Sequence, residues 1–288
     1  MDSVFAQHYQ PVEIIVMDDG STDNTQDLIS SYGNDVRYFR QKRQGISAAR
    51  TAASQLATGE YIAYQDDDDL MPPERITHLY AALQEYPSAV FATGDYALID
   101  AQGELTGERW LPGNLDKKGQ ATLIDDGYSA ILWPHVPAVP HTTLFRKADG
   151  ERIGWFDPEF KYACSDGDFL ARLGQLGPVV YLPEIVSYYR RGHSAIWNDD
   201  LRANISRLQL WGKHMGLMGP EQIELRKQLQ KRMRKALKKI SRERGQRTDF
   251  DEKVVTDYIQ KGLSQLGLKE RLLYNWYARV KLPLKNRL

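Results

Sequence analysis

Cysteine is nearly missing from this chain of 288 residues: Cys164 stands alone. One thiol cannot form an internal disulfide framework, so a reducing compartment is expected. Long apolar runs are missing too, and none approaches the roughly 20 residues that a bilayer span requires. No basic stretch followed by an apolar core opens the sequence, which predicts no signal peptide and a cytoplasmic setting. There is no internal repeat and no low-complexity segment. Net charge is also absent, because 38 Lys and Arg balance 38 Asp and Glu.

That balance conceals an asymmetry. From Asp199 onward the chain holds 22 Lys and Arg against 10 Asp and Glu, about +12, which leaves about −12 for residues 1–198. An acidic body joined to a basic tail predicts two regions with different partners, 1–198 and 199–288. The apolar fraction of 42% and charged fraction of 26% are those of a globular protein. The length suits one large domain with an appendage.

What is present concentrates around Tyr61-Ile62-Ala63-Tyr64-Gln65, a β-prone run that ends in Asp66-Asp67-Asp68-Asp69. Four adjacent like charges repel unless something positive sits among them. In an open α/β sheet, ligands bind beyond the carboxyl ends of strands, where this cluster falls. A divalent cation held by hard oxygen ligands is one occupant; a solvated acidic loop is the plainer alternative.

Around this run the pattern alternates. Glu13–Met17 reads as a buried strand running into Asp18-Asp19-Gly20-Ser21-Thr22-Asp23, with a helix through Ile29. Val36–Arg40 is a second strand, Gly45–Ala57 an alanine-rich helix containing Arg50, and Tyr61–Tyr64 a third strand. Pro72-Pro73 start a helix through Glu85, since proline is tolerated in the first helical turn. Ala89–Thr93 and Thr142–Arg146 are further strands, Ser165–Leu176 a helix, and Val179–Leu182 with Ile185–Arg191 the strands that close the sheet. Residues 94–140, rich in Gly and Pro, show no pattern beyond short strands and loops. Such alternation predicts an α/β fold with a mostly parallel sheet flanked by helices. After Asn198 only helix is expected: Leu225, Leu229, Met233, Leu237 and Ile240 recur at helical spacing, with Lys and Arg on the other faces.

With Asp18-Asp19-Gly20-Ser21-Thr22-Asp23, Gly45-Ile46-Ser47-Ala48-Ala49-Arg50, Gly59-Glu60-Tyr61-Ile62 and Asp66-Asp67-Asp68-Asp69 in this order, then Ser165-Asp166-Gly167-Asp168, the chain resembles the family-2 glycosyltransferases over about residues 2–195. The resemblance implies a GT-A-like, Rossmann-like domain with a C-terminal helical extension. It implies an inverting enzyme that uses a nucleotide-diphosphate sugar, a UDP-sugar foremost, with Mg²⁺ or Mn²⁺. Asp19 then accepts a hydrogen bond from the nucleobase, with Asp18 a neighbour that is either structural or part of that contact. Asp68 ligates the metal, and Asp66 or Asp67 holds the ribose; Asp66 and Asp68 share a face if the chain stays extended. Asp166 matches the general base. Arg50 is either a nucleotide contact or a surface salt bridge, and Arg191 and His193 sit where the family often contacts the diphosphate. Asp69 is expected to cap the helix near Pro72, Asp168 to support Asp166 or cap its helix, and His141 to be structural rather than to face the acceptor. The family normally opens with a strand and then a helix that leads into Asp2–Gln7, so the chain is expected to start inside that helix. Either the true start lies upstream, the favoured reading, or this is a genuine truncation that folds and binds poorly.

Other readings fit less well. A phosphatase with carboxylates at i and i+2 fails because Gly20 follows Asp18 at that spacing. A calcium loop fails because Asp66–Asp69 lacks spaced ligands and a turn glycine. The rival that stands is a catalytically impaired scaffold with a degenerate fold, against which the retention of Asp68 and Asp166 weighs. For the tail, the plain account is a helical bundle with a solvated basic face. The sharper one is contact of Arg226–Arg247 and Leu272–Leu288 with an anionic membrane near a glycan or lipid-linked acceptor. No nucleic-acid-binding module accompanies the charge.

Overall fold

A computed structural model describes residues 1–109, 120–133, 135–137, 139–160, 163–191 and 200–243. The chain divides into two compact units: Met1–Lys161 with Ser165–His193, and Tyr162–Cys164 with Ser194–Leu288.

The first unit follows the expected alternation of strands and helices, with shifted boundaries. Its elements begin with α1 (Asp2–Phe5), β1 (Ile15–Asp18), α2 (Thr25–Ser30), β2 (Arg37–Arg40), α3 (Ile46–Leu56), β3 (Tyr61–Ile62) and α4 (Arg75–Glu85). They continue through β4 (Phe91–Ile99), β5 (Leu105–Arg109), β6 (Thr122–Ile124), α5 (Gly127–Leu132), β7 (Thr143–Arg146), α6 (Lys147–Arg152), α7 (Ser165–Gly174) and β8 (Val179–Arg190). Pro72 and Pro73 lie in the turn ahead of α4 rather than inside it, and the Arg75 N–H donates to the Pro72 carbonyl at 3.1 Å.

The α/β layering holds, but the expected mostly parallel sheet does not. β1 and β2 pair in parallel as a sheet of two. The larger sheet runs β3-β7-β4-β8-β6, with β5 on β4. Among the described strands only β4·β8 is parallel there; β3·β7, β4·β7, β4·β5 and β6·β8 are antiparallel. The strands responsible include β5 and β6, from the stretch the sequence left without pattern. β4 itself extends to Ile99, beyond the expected Thr93. The two strands expected over 179–191 are one strand, β8, whose pairing skips from Leu182 to Ile185 opposite Gly94 and Asp95. Pro183 has no N–H to give the ladder, which accounts for the slip.

One core lies under α4. Leu79, Ala82 and Leu83 from one face of that helix meet Ala92 of β4, Leu144 of β7 and Val180, Leu182 and Val186 of β8. Those spacings are one helix stripe against alternate strand positions. A second contact sets the helix that carries Asp166. α5 packs on α7 so closely that a Cβ at Gly174 would lie 2.6 Å from the Gly127 carbonyl carbon.

The second unit contains α8 (Asp200–Leu217) and α9 (Ile223–Glu243). Leu225, Leu229, Met233, Ala236, Leu237 and Ile240 are buried, as the helical spacing predicts. Lys227, Lys231, Arg234, Lys235, Lys238 and Lys239 are exposed. No helix among the described residues is long and apolar enough to cross a membrane.

The helix contact makes a prediction. Gly174→Ala should overpack the α5–α7 seam and cost about 1–3 kcal/mol in urea unfolding. A loss below about 0.3 kcal/mol would mean that the seam yields freely.

Candidate active site

The acidic run begins where β3 stops. β3 covers two residues rather than four, and the chain does not stay extended: the Asp69 N–H donates to the Asp66 carbonyl at 3.3 Å, closing a turn. The expectation that Asp66 and Asp68 share a strand face is therefore corrected. On this turn Asp67 is exposed, Asp66 and Asp68 are half-buried and Asp69 is buried.

Three arginines from distant elements hold the turn. Arg75, 1% exposed, donates to the Tyr64 carbonyl at 2.8 Å and the Gln65 side chain at 2.9 Å. Burial lowers its pKa to about 10, with Asp66 and Asp69 opposing, so it remains a cation at neutral pH. Arg190, closing β8, donates from Nε to the Asp68 carbonyl at 2.7 Å and from its backbone N–H to Asp69 Oδ1 at 2.8 Å. Arg50, on α3, donates to Asp66 Oδ1 at 2.5 Å and to Asp166 Oδ1 at 2.6 Å. It is buried, which removes the surface-salt-bridge reading.

Asp166 sits in the first turn of α7, and 32% of its side chain is exposed. Burial raises its carboxyl above the ordinary range, while Arg50 pulls it down and Asp66 adds to the rise. For Asp66 burial also pushes up, but Arg50 and the more distant His141 and Arg75 hold it below the ordinary carboxylate value. Two carboxylates facing one guanidinium thus have pKa values pushed in opposite directions, a feature of acid–base sites.

Asp69 and Asp168 do other work than expected. Asp69 caps no helix; beyond its Arg190 contact, its Oδ2 lies 3.3 Å from Nδ1 of the buried His141. Burial drives His141 down to about 4 and Asp69 up to about 7, so this contact at neutral pH involves an uncharged imidazole. His141 also meets Ser187 Oγ at 2.7 Å, a structural role, as expected. Asp168 is fully buried and accepts from Arg172 Nε at 2.8 Å, and Arg172 in turn donates to the carbonyls of Ile153 and Trp155. That arrangement ties α7 to the preceding turn.

Asp18 and Asp19 diverge. Buried Asp18 accepts from the Ser21 N–H at 2.7 Å and the Tyr38 hydroxyl at 2.6 Å, fixing the end of β1 to β2. Asp19 accepts from Gln41 Nε2 at 2.7 Å, the Gln44 N–H at 2.8 Å and the Gly45 N–H at 2.7 Å. Those donors order the loop that leads into α3, and only one bond falls on Oδ2. Arg191 is exposed and its N–H donates to the Ile99 carbonyl at 2.9 Å. His193, and the basic stretch beyond residue 243, lie outside the described residues. Among the described residues, no group of three or more His, Cys, Asp or Glu is gathered to hold a metal by itself.

Residues 1–134 match the family described as Glycosyl transferase family 2. Over those residues the chain is similar to the family-2 glycosyltransferases. An uncharacterized glycosyltransferase of Rickettsia felis is 35% identical over 106 residues, 36% of this chain and 18% of that protein. Another, from a Nostoc species, is 26% identical over 194 residues, 66% of this chain and 59% of that protein. The chain thus spans less than two-thirds of either relative. Among solved structures, S. aureus TarS 1-349 in complex with UDP has a TM-score of 0.66 at 15% identity, over 96% of this chain and 81% of that one. The mannosyltransferase PcManGT from Pyrobaculum calidifontis, in complex with GDP-Man and Mn²⁺, has a TM-score of 0.57 at 16% identity, over 99% and 82%. At such identities the likeness shows the fold, an α/β GT-A-type glycosyltransferase fold.

Arg75 and Arg190 were not picked out by the sequence. Arg75 carried one signal: a cation in the first helical turn opposes the helix dipole, which points to another partner.

Asp18 makes the pH prediction. Burial raises its pKa, but the Tyr38 and Ser21 bonds and Arg40 outweigh it and bring it to about 2. A depressed folded pKa gives stability present above the unfolded value near 4 and lost as pH falls through about 2. Asp18→Asn should therefore be less stable than wild type in urea at pH 7, with the gap narrowing from pH 4 downward. A gap that stays constant to pH 2.5 would contradict this role.

Proposed function

We propose that the glycosyltransferase domain moves a sugar from a nucleotide-diphosphate sugar to an acceptor hydroxyl with inversion at the anomeric carbon. The carrying observation is that Asp166 and Asp66, 100 positions apart in the sequence, are held by the two terminal nitrogens of one guanidinium. That pairing supports a reading in which one carboxylate serves the acceptor and the other the donor. In the reaction the acceptor hydroxyl oxygen bonds to the anomeric carbon while its proton passes to Asp166 and the bond to the diphosphate breaks on the opposite face. The raised pKa and partial exposure of Asp166 suit a base that must take that proton.

On the donor side, Asp19 receives the nucleobase imide and Asp66 or Asp67 the ribose, with Arg50, Arg191 and His193 as diphosphate or nucleotide contacts. Asp18 acts from beneath by fixing the β1 end. The donor set on the turn is hard oxygen, which fits Mg²⁺ or Mn²⁺: such ions are commonly held by one or two carboxylates with substrate phosphates and water completing the shell. Asp68 would hold the ion, which when bound offsets the charge developing on the departing diphosphate. TarS with UDP and UDP-GlcNAc, and PcManGT with GDP-Man and Mn²⁺, support a nucleotide-sugar donor. A UDP-sugar is our first choice, and the acceptor a glycan or lipid-linked sugar in bacterial surface polysaccharide synthesis on the cytoplasmic side. The exposed Lys and Arg of α9 support contact with an anionic membrane surface there.

Isothermal titration and transfer assays test the assignment. UDP with Mn²⁺ should bind wild type; Asp68→Ala should weaken that binding at least tenfold, and only in the presence of metal. Asp166→Asn should lose at least a hundredfold in transfer with donor affinity within threefold. Near-normal transfer by Asp166→Asn would remove the base, and no UDP binding by wild type would favour a scaffold. For the tail, co-sedimentation should favour phosphatidylserine-containing vesicles over neutral ones and fall with salt; equal binding to both would refute the electrostatic contact.

A further inference from the structure

Arg50 has few degrees of freedom left. Its guanidinium carbon lies 5.9 Å from the centroid of the Tyr64 ring and 5.6 Å from that of Phe156. Tyr64 is fixed in turn, its hydroxyl 2.5 Å from Ser54 Oγ, which donates to the Arg50 carbonyl at 2.7 Å. With 9% of its side chain exposed, Arg50 cannot swing to solvent without leaving two carboxylates unpaired. Such a planar fork fixes direction as well as charge.

Its bond to Asp166 falls on Oδ1, and so does the 3.2 Å contact from Ser165 Oγ. Both contacts leave Oδ2 uninvolved, on a side chain that is 32% exposed. Among the described residues, the charged and titratable groups acting on Asp166 are Arg50 from α3 and Asp66 from the turn after β3, with the Ser165 hydroxyl from its own helix.

We propose that Arg50 is a positioning residue for Asp166: it pins Oδ1, turns Oδ2 toward the acceptor, and holds the ionised form of a carboxylate in a buried site. Because the same fork grips Asp66, it also sets the base in register with the donor-side turn. This assigns Arg50 a role beyond nucleotide contact. The value of that role to catalysis rests on the reading of Asp166 as base.

The test is a carboxyl-carbon NMR titration of the full chain labelled at aspartate, with the Asp166 signal assigned by its loss in Asp166→Asn. In Arg50→Met the Asp166 midpoint should rise by about one pH unit or more, a tenfold gain in proton affinity. Arg50→Gln, which keeps polarity and most of the stem, should give a rise in the same direction and serves if the methionine variant does not fold. A midpoint within about 0.3 unit of wild type in a folded variant overturns the proposal. The measurement uses no substrate, so the two claims fail separately. An unchanged midpoint with Asp166→Asn inactive sinks only the positioning role. Active Asp166→Asn with the midpoint shifted sinks only the base assignment.

Discussion

Four consecutive carboxylates can be held together only if positive charge reaches them from elsewhere in the fold. Here that charge comes from Arg50 on α3, Arg75 at the start of α4 and Arg190 at the end of β8. Each belongs to a different element, so the turn is stable only when helix, sheet and loop are all in place. Arg75 acts from beneath, with burial lowering its pKa but leaving it charged. Arg190 catches the backbone of Asp68 and so fixes the turn without spending the Asp68 carboxylate on that bond. Arg50 joins the turn to the helix that carries Asp166.

The architecture around this knot follows from packing. α4 buries Leu79 and Leu83 on β4, β7 and β8, which places Arg75 directly under the turn. The glycine seam packs the C-terminal end of α7 on α5, and Asp168 with Arg172 anchors its first turn to the turn at 153–155. Asp166 is then presented at a helix start, where negative charge is favoured. Fold and site are in this sense linked: losing an arginine removes a tie on the acidic turn, and Arg50 links that turn to Asp166.

The sequence made the element order and the acidic run legible, because these are local signals: strand and helix periodicity, and charge clustered at a strand end. Asp19 and Asp166 stood out only through the family resemblance. It did not reveal the sheet's mixed sense, because strand direction depends on which strands pair, and residues 94–140 carry turns rather than periodicity. It singled out Arg191 for the diphosphate but gave no sign that Arg190 holds the turn. Neighbouring strand residues face opposite sides, and nothing local says which side holds the carboxylates. Asp69 reads as a helix cap until Arg190 and His141 arrive from positions 121 and 72 residues away. Arg50 was visible as a motif residue, but its two carboxylate partners, 16 and 116 positions away, were not.

We infer that the Asp66–Asp69 turn and the start of α7 face one nucleotide–metal site. Paramagnetic broadening of assigned backbone amides by substoichiometric Mn²⁺, with and without UDP, tests it most directly. The account predicts broadening centred on residues 66–69 and reaching Asp166 and Asp19, sharpened by UDP and lost in Asp68→Ala. Broadening centred elsewhere, or unaffected by UDP and by Asp68→Ala, would contradict it.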